Sequence, residues 1–223
     1  MLQNPCILIP SYNEAKTIGS LVAQLRERHL TVYVVDDGST DKTAKIAESE
    51  GAVVVKHKTN KGKGASMREG FKHILKKGFE TVVVMDGDGQ HEVEDIGSFL
   101  QRIKDTNADM VIGSRMHDTS SMPPLRIYTN RFMSSLISSM ARQYVPDTQS
   151  GFRLIKRDVL SSIKLESSNY EIESEMILKA AWAGFKIDSV PIKTVYRDER
   201  SKINPILDAI RFIAFLVKIM LKR

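Results

Sequence analysis

The sequence is poor in cysteine, in aromatic residues and in long apolar runs, and it lacks both common phosphate-binding loops. One cysteine in 223 residues, Cys6, excludes an internal disulfide and points to a reducing compartment. Cys6 lies inside an apolar strand-like run and reads as a small core residue. Aromatic residues make up only 7%, and no nucleic-acid-binding motif accompanies them, so no nucleic-acid partner is expected. No apolar run approaches the roughly 20 residues needed to cross a bilayer. Met1 to Pro5 lacks the basic start of a secretory leader, and a cytoplasmic location is expected. No low-complexity linker divides the chain, so residues 1–203 read as one domain and 204–223 as a C-terminal extension. The first strand-like run is followed by Pro10-Ser11-Tyr12 where a dinucleotide fold requires G-x-G-x-x-G, and G-x-x-x-x-G-K-[ST] occurs nowhere.

What is present is positive charge and a regular alternation of apolar runs. The formal charge is +6 and the pI is near 9.3, which suits an anionic partner such as a nucleotide, a lipid phosphate or a membrane surface. Strand-length runs occur at Cys6-Ile9, Val32-Val35, Val53-Val55, Val82-Met85 and Met110-Ile112. Amphipathic stretches near Ile18-Leu25, Thr43-Glu50, Ala65-Lys76 and Ile96-Lys104 separate them. Strands apolar on both faces, alternating with helices, predict an α/β fold with a parallel sheet covered on both sides. Ligands of such sheets bind at the carboxyl ends of the strands.

Polar residues gather at those ends: Pro10-Ser11-Tyr12-Asn13-Glu14, Asp36-Asp37-Gly38-Ser39-Thr40-Asp41, Asp86-Gly87-Asp88-Gly89-Gln90-His91 and Gly113-Ser114-Arg115. Asp86 and Asp88 stand one residue apart, so in an extended segment both carboxylates face one ligand. Gly87 and Gly89 leave room for its approach. Hard oxygen donors in this arrangement suit Mg²⁺ or Mn²⁺ carrying a diphosphate, whose oxygens complete the octahedron. Asn60-Lys61-Gly62-Lys63-Gly64 is compatible with a mobile loop at a nucleotide's edge and equally with a solvated turn.

Taken together these motifs, with Asp147-Thr148-Gln149-Ser150-Gly151-Phe152-Arg153, resemble the family 2 glycosyltransferases of GT-A fold, in the branch of dolichyl- or polyprenyl-phosphate sugar synthases. The resemblance covers nearly the whole chain to about Lys202. It implies a mostly parallel, Rossmann-like sheet and an inverting, metal-dependent transfer of a hexose from a GDP- or UDP-linked donor to a polyprenyl phosphate. It further implies that Pro10, Tyr12, Glu14, Val35 and Asp37 hold the base and ribose, and that Asp86, Asp88 and Gln90 bind the metal, with Gly87 beside the donor. By the same resemblance Arg197 and Lys202 close over the donor diphosphate, while Arg115, Arg126, Arg131 and Ser135 hold the acceptor phosphate. Asp88, Arg115 and Arg131 are its catalytic residues.

A phosphate monoester needs no general base, because its second pKa of about 6 leaves it ionised at neutral pH. A saccharide hydroxyl acceptor would need one, and Glu173 is then the candidate. Glu171 and Glu173 could also orient the donor sugar, or merely suit a helix N-terminus. A non-catalytic nucleotide-binding protein is the third reading, which an intact Asp86 and Asp88 oppose. Pro205 to Arg223 has a broad apolar arc flanked by Arg211, Lys218, Lys222 and Arg223. This is the profile of a helix in a membrane interface at the cytoplasmic face, or of one docked on the domain or on a second copy of the chain.

Overall fold

A computed structural model describes residues 5–120, 122–193 and 205–221, with the side chains of 205–211 outside the described set. The expected alternation is realised as strands β1 (Pro5–Ser11), β2 (Thr31–Asp36), β3 (Val53–Lys56), β4 (Thr81–Val84) and β5 (Met110–Ser114). Helices α1 (Ile18–Glu27), α2 (Thr43–Ser49), α3 (Lys63–Leu75) and α4 (Ile96–Thr106) connect them. Beyond lie α5 (Pro124–Ala141), β6 (Arg153–Lys156), α6 (Arg157–Ser162), α7 (Glu171–Trp182), β7 (Ile187–Pro191) and α8 (Pro205–Leu221).

The seven strands form one sheet in the order β3-β2-β1-β4-β6-β5-β7. All pairings are parallel except those of β6, which runs antiparallel between β4 and β5. The parallel sheet inferred from the five apolar runs is therefore a mixed one, interrupted by a strand those runs do not announce.

Period-two alternation explains why the runs are apolar throughout. Cys6, Leu8, Val35, Val82, Val84 and Ile112 face the core under α3, α5, α7 and α8. Ile7, Ile9, Val34, Val83, Met85 and Val111 face the opposite core under α1 and α4. Phe99 from α4 is fully buried there, a burial worth roughly 1.5–3 kcal/mol. Cys6 is indeed a core residue: its thiol donates to the Thr81 carbonyl at 3.7 Å, and burial pushes its pKa up to about 12 against a smaller lowering contact with its own backbone. Helix α8 buries Phe212 and Ile219 in the first core.

Candidate active site

The loops after β1 and β2 are laced together. Asn13, in a left-handed conformation (φ 56°), donates its N–H to Ser39 Oγ at 2.9 Å and accepts the Thr40 N–H on Oδ1 at 2.9 Å. The Glu14 N–H donates to Thr43 Oγ1 at 2.8 Å. Thr17 Oγ1 donates to the Gly87 carbonyl at 2.6 Å, tying the first loop to the Asp86-Asp88 segment. Tyr12 projects at the surface of this edge, whereas Pro10 and Val35 are buried partners in the β1–β2 register.

Asp37 anchors the loop that follows β3. It is buried, and its oxygens accept the Lys61 N–H at 3.0 Å, the Gly62 N–H at 2.8 Å and a contact from His57 Nδ1 at 2.7 Å. Its carboxylate thus organises the 57–62 loop at the edge where a base or ribose was expected. The segment Asn60-Gly64 is correspondingly tied to Asp37 and packed against Ser168. Gly62 has φ 95°, and a Cβ there would stand 2.4 Å from the Ser168 carbonyl oxygen, so only glycine fits.

This pinned loop delivers Lys63, the first residue of α3, to the aspartates beyond β4. Lys63 Nζ lies 2.5 Å from Asp86 Oδ1 and 2.7 Å from Glu173 Oε1. His91 Nε2 is 3.6 Å from Asp86 Oδ2, and the His91 ring packs on Phe152 with centroids 4.8 Å apart. Burial alone would raise the Asp86 pKa, but the Lys63 ammonium and His91 outweigh it and hold Asp86 far below the usual carboxylate range. Asp88 shifts the other way, raised first by burial and then by the neighbouring Asp86 charge. Its Oδ1 accepts the Gln90 backbone N–H at 3.0 Å. Two close carboxylates, one of them raised by the other, form a site that a cation would relieve.

A divalent ion suits that donor set. Among the described residues no group of three or more Asp, Glu, His or Cys closes a metal cage. Mg²⁺ and Mn²⁺ sites commonly rest on one or two carboxylates, with water and phosphate oxygens in the remaining positions. Buried polar atoms without a protein partner gather at the same edge, including Ser11 Oγ, Asp36 Oδ1, His91 Nδ1 and Ser150 Oγ. Such atoms are costly to bury unsatisfied, and a ligand or water there would relieve them.

Two glycines shape the site. A Cβ at Gly87 would meet Ser11 Oγ at 2.7 Å, so that glycine admits the close approach of the β1 loop. Gly151 is the one pressed against the chemistry: a Cβ there would lie 2.4 Å from Asp86 Oδ2 and 2.9 Å from Lys63 Nζ. Gly151→Ala should therefore lower turnover by about 10² or more by displacing Asp86. Circular dichroism and thermal melting of that variant should show a folded protein.

The segment from Asp147 to Arg153 is mostly internal framework. Fully buried Asp147 accepts from the Arg115 backbone N–H at 3.0 Å and from Arg115 Nε and Nη2 at 2.8 Å each. Fully buried Arg153 donates to the carbonyls of Ser150, Thr148 and Glu173 at 2.8, 2.8 and 2.6 Å. Arg115 is thus paired with Asp147, and the other three residues of the expected phosphate set lie on α5. Arg126 lies on the face of α5 that also carries the buried Asn130 and Ser134, four residues apart each time. Arg131 and Ser135 are exposed on other faces, because five residues turn a helix by about 140° beyond a full turn. Ser134, and not Ser135, meets the motif, accepting the Thr148 N–H at 2.9 Å. Arg197 and Lys202 lie outside the described residues.

Lys63 and the pairing of Glu173 with it are what sequence reasoning missed. The lysine stood in a motif already singled out, but its partners are remote in sequence and nothing local names them.

A mixed sheet with acidic motifs at the carboxyl ends of its strands fits a GT-A architecture. Residues 6–164 match the model of glycosyl transferase family 2, and the chain belongs to that family of glycosyltransferases. It is 31% identical over 215 residues to the UDP-N-acetylglucosamine–dolichyl-phosphate N-acetylglucosaminyltransferase of Methanococcus voltae, covering 86% of each chain. It is 33% identical over 206 residues to the undecaprenyl-phosphate mannosyltransferase of Micrococcus luteus, covering 86% of this chain and 83% of the relative. Its fold matches the glucosyl-3-phosphoglycerate synthase of Mycobacterium tuberculosis, solved with Mn²⁺, uridine diphosphate and phosphoglyceric acid. That match has a TM-score of 0.73 at 20% identity over 96% of this chain and 78% of the other.

Proposed function

We propose that this glycosyltransferase moves a hexose from a UDP- or GDP-linked donor to a polyprenyl or dolichyl phosphate, with inversion and with Mg²⁺ or Mn²⁺ on Asp86 and Asp88. The relatives named for dolichyl and undecaprenyl phosphate support the acceptor, and the Mn²⁺ in the structural neighbour supports the cation. The observation that carries the acceptor assignment is the engagement of Glu173. The carboxylate a hydroxyl acceptor would need as its base is buried and ion-paired to Lys63. A phosphate monoester brings its own negative oxygen.

The step is a single displacement. A phosphate oxygen of the acceptor forms a bond to the anomeric carbon, the bond from that carbon to the donor diphosphate breaks, and the electron pair leaves with the nucleoside diphosphate. Asp86 and Asp88 would hold a divalent cation that would neutralise the charge building on that leaving group. Asp86 and Asp88 hold the diphosphate's counter-charge in place, and Arg126 and Arg131 of α5 supply positive charge on the acceptor side. Gln90 fixes Asp88 through its backbone N–H.

Two apolar faces support a lipid-bearing acceptor at a cytoplasmic membrane surface. Leu125, Tyr128 and Phe132 are 76%, 70% and 69% exposed along one stripe of α5. Ile213, Val217 and Met220 are exposed along α8, beside Lys218. A tyrosine and flanking basic residues on an apolar stripe fit a membrane interface. Among the described residues no helix is long and apolar enough to cross a bilayer. On this reading residues 1–203 are the catalytic domain and 204–223 an interfacial segment.

Radiolabel from a nucleotide sugar should partition into organic solvent when polyprenyl phosphate and Mn²⁺ are supplied. Glu173→Gln should slow that transfer by less than about tenfold, since loss of a true general base costs about 10²–10⁴. Label that stays aqueous and moves only to a saccharide, with collapse of activity in Glu173→Gln, would establish the hydroxyl-acceptor reading instead.

A further inference from the structure

Lys63 sits in a position that its own helix disfavours. It is the first residue of α3, where the helix dipole attracts anions and repels cations. Asp86 and Glu173 compensate, each within 2.7 Å of the ammonium, and their charges raise the Lys63 pKa above its ordinary value against the lowering effect of burial. The side chain is only 16% exposed, so this pairing is little screened by solvent. Gly151 is bare of a side chain next to the same Nζ. The ammonium therefore takes up one oxygen of the carboxylate that the divalent cation would use.

We propose that Lys63 is a resident counterion: it holds Asp86 while the donor and its cation are away, competes with the cation for that carboxylate, and is retained by Glu173 when the cation arrives. This rests on the cation reading of Asp86 and Asp88 given above. Lys63 is a positioning residue acting through Asp86, and Glu173 is the anchor that keeps the displaced ammonium beside the diphosphate. The bare protein then binds a divalent ion weakly, and the negative charge of a nucleoside diphosphate is needed to tip the exchange. Cation and donor enter together, and the half-buried Asp86 is never left without a counter-charge.

Isothermal titration of Mn²⁺ into the full chain without nucleotide tests this. Lys63→Met should bind Mn²⁺ at least about tenfold more tightly than the wild type, because a unit charge in contact with the site is removed. Its metal-free melting temperature should fall, and Mn²⁺ should restore it. Lys61→Met, whose side chain is exposed in the same loop, should change Mn²⁺ affinity less than twofold. Lys63→Arg should bind Mn²⁺ more weakly than wild type, since a guanidinium grips a carboxylate through two donors. The Lys63→Arg arm decides the matter if Lys63→Met does not fold. Unchanged or weaker Mn²⁺ binding in Lys63→Met, an equal gain in Lys61→Met, or unchanged binding in Lys63→Arg would overturn the counterion. Absence of Mn²⁺ binding in every protein, even with nucleoside diphosphate present, would overturn the cation reading and the counterion with it. Mn²⁺ binding that needs the nucleotide in wild type and is indifferent to Lys63 would overturn the counterion alone.

Discussion

Asp88→Asn should reduce sugar transfer by about 10²–10⁴ while leaving the fold intact. Neutralising charge on a departing diphosphate contributes several kcal/mol to the transition state, and each 1.36 kcal/mol is about a factor of ten in rate. Asparagine retains the oxygen that accepts the Gln90 N–H, so the loop geometry survives. Stability should not fall. Asp88 is half-buried beside Asp86, and both partial burial and that neighbour raise its pKa, which means its ionised form opposes folding. Removing the charge should leave the metal-free melting temperature unchanged or higher, as is common where active sites store unfavourable charge. Turnover within threefold of wild type would remove Asp88 from the cation site.

The largest effect on stability should come from Asp147→Ala, at about 3–5 kcal/mol by denaturant unfolding. Asp147 has no exposure and answers the charge of Arg115, which is itself buried. Deleting one member leaves the other charge uncompensated inside the protein. Exchanging both, in Arg115→Met with Asp147→Leu, should recover most of the loss, because apolar replacements of a buried pair are often neutral. Equal losses for the single and double variants would contradict the pairing. Burial would raise the Asp147 pKa, but hydrogen bonds and charge from Arg115 outweigh it and depress it below the usual value of 3.8. A depressed carboxylate contributes its stability fully above the unfolded value, and loses it as pH falls through the lower folded one. Wild type should accordingly shed this contribution below about pH 4, and Asp147→Ala should lack that part of the acid limb.

The first five strands and first four helices were legible because each strand is an unbroken apolar run and each helix has one apolar face. Strand β6 was not. It opens on Arg153 and closes on Lys156, and its arginine is tolerable in the core only because three carbonyls accept from it. Those carbonyls belong to loops and a helix that no local pattern brings together. Strand β7 is similarly masked, since only Ile187 and Val190 within it are buried.

At the site, a motif does not say whether a polar side chain faces a ligand or a neighbouring loop. Asp37 and Arg115 turned inward, to the 57–62 loop and to Asp147, while Lys63 turned toward the aspartates. On α5 the same problem is one of phase. Ser134 and Ser135 are adjacent in sequence, yet a 100° turn puts only the first against Thr148.

The most direct test of the cation-bound diphosphate is a thermal-shift titration of the wild-type protein with UDP and GDP, in Mn²⁺ and in chelator. A ligand of the native state raises stability with the logarithm of its concentration over its dissociation constant. One of the two nucleotides should raise the melting temperature strongly in Mn²⁺ and little in chelator, and Asp88→Asn should abolish the difference. Equal stabilisation with and without the cation, unchanged in Asp88→Asn, would contradict the account.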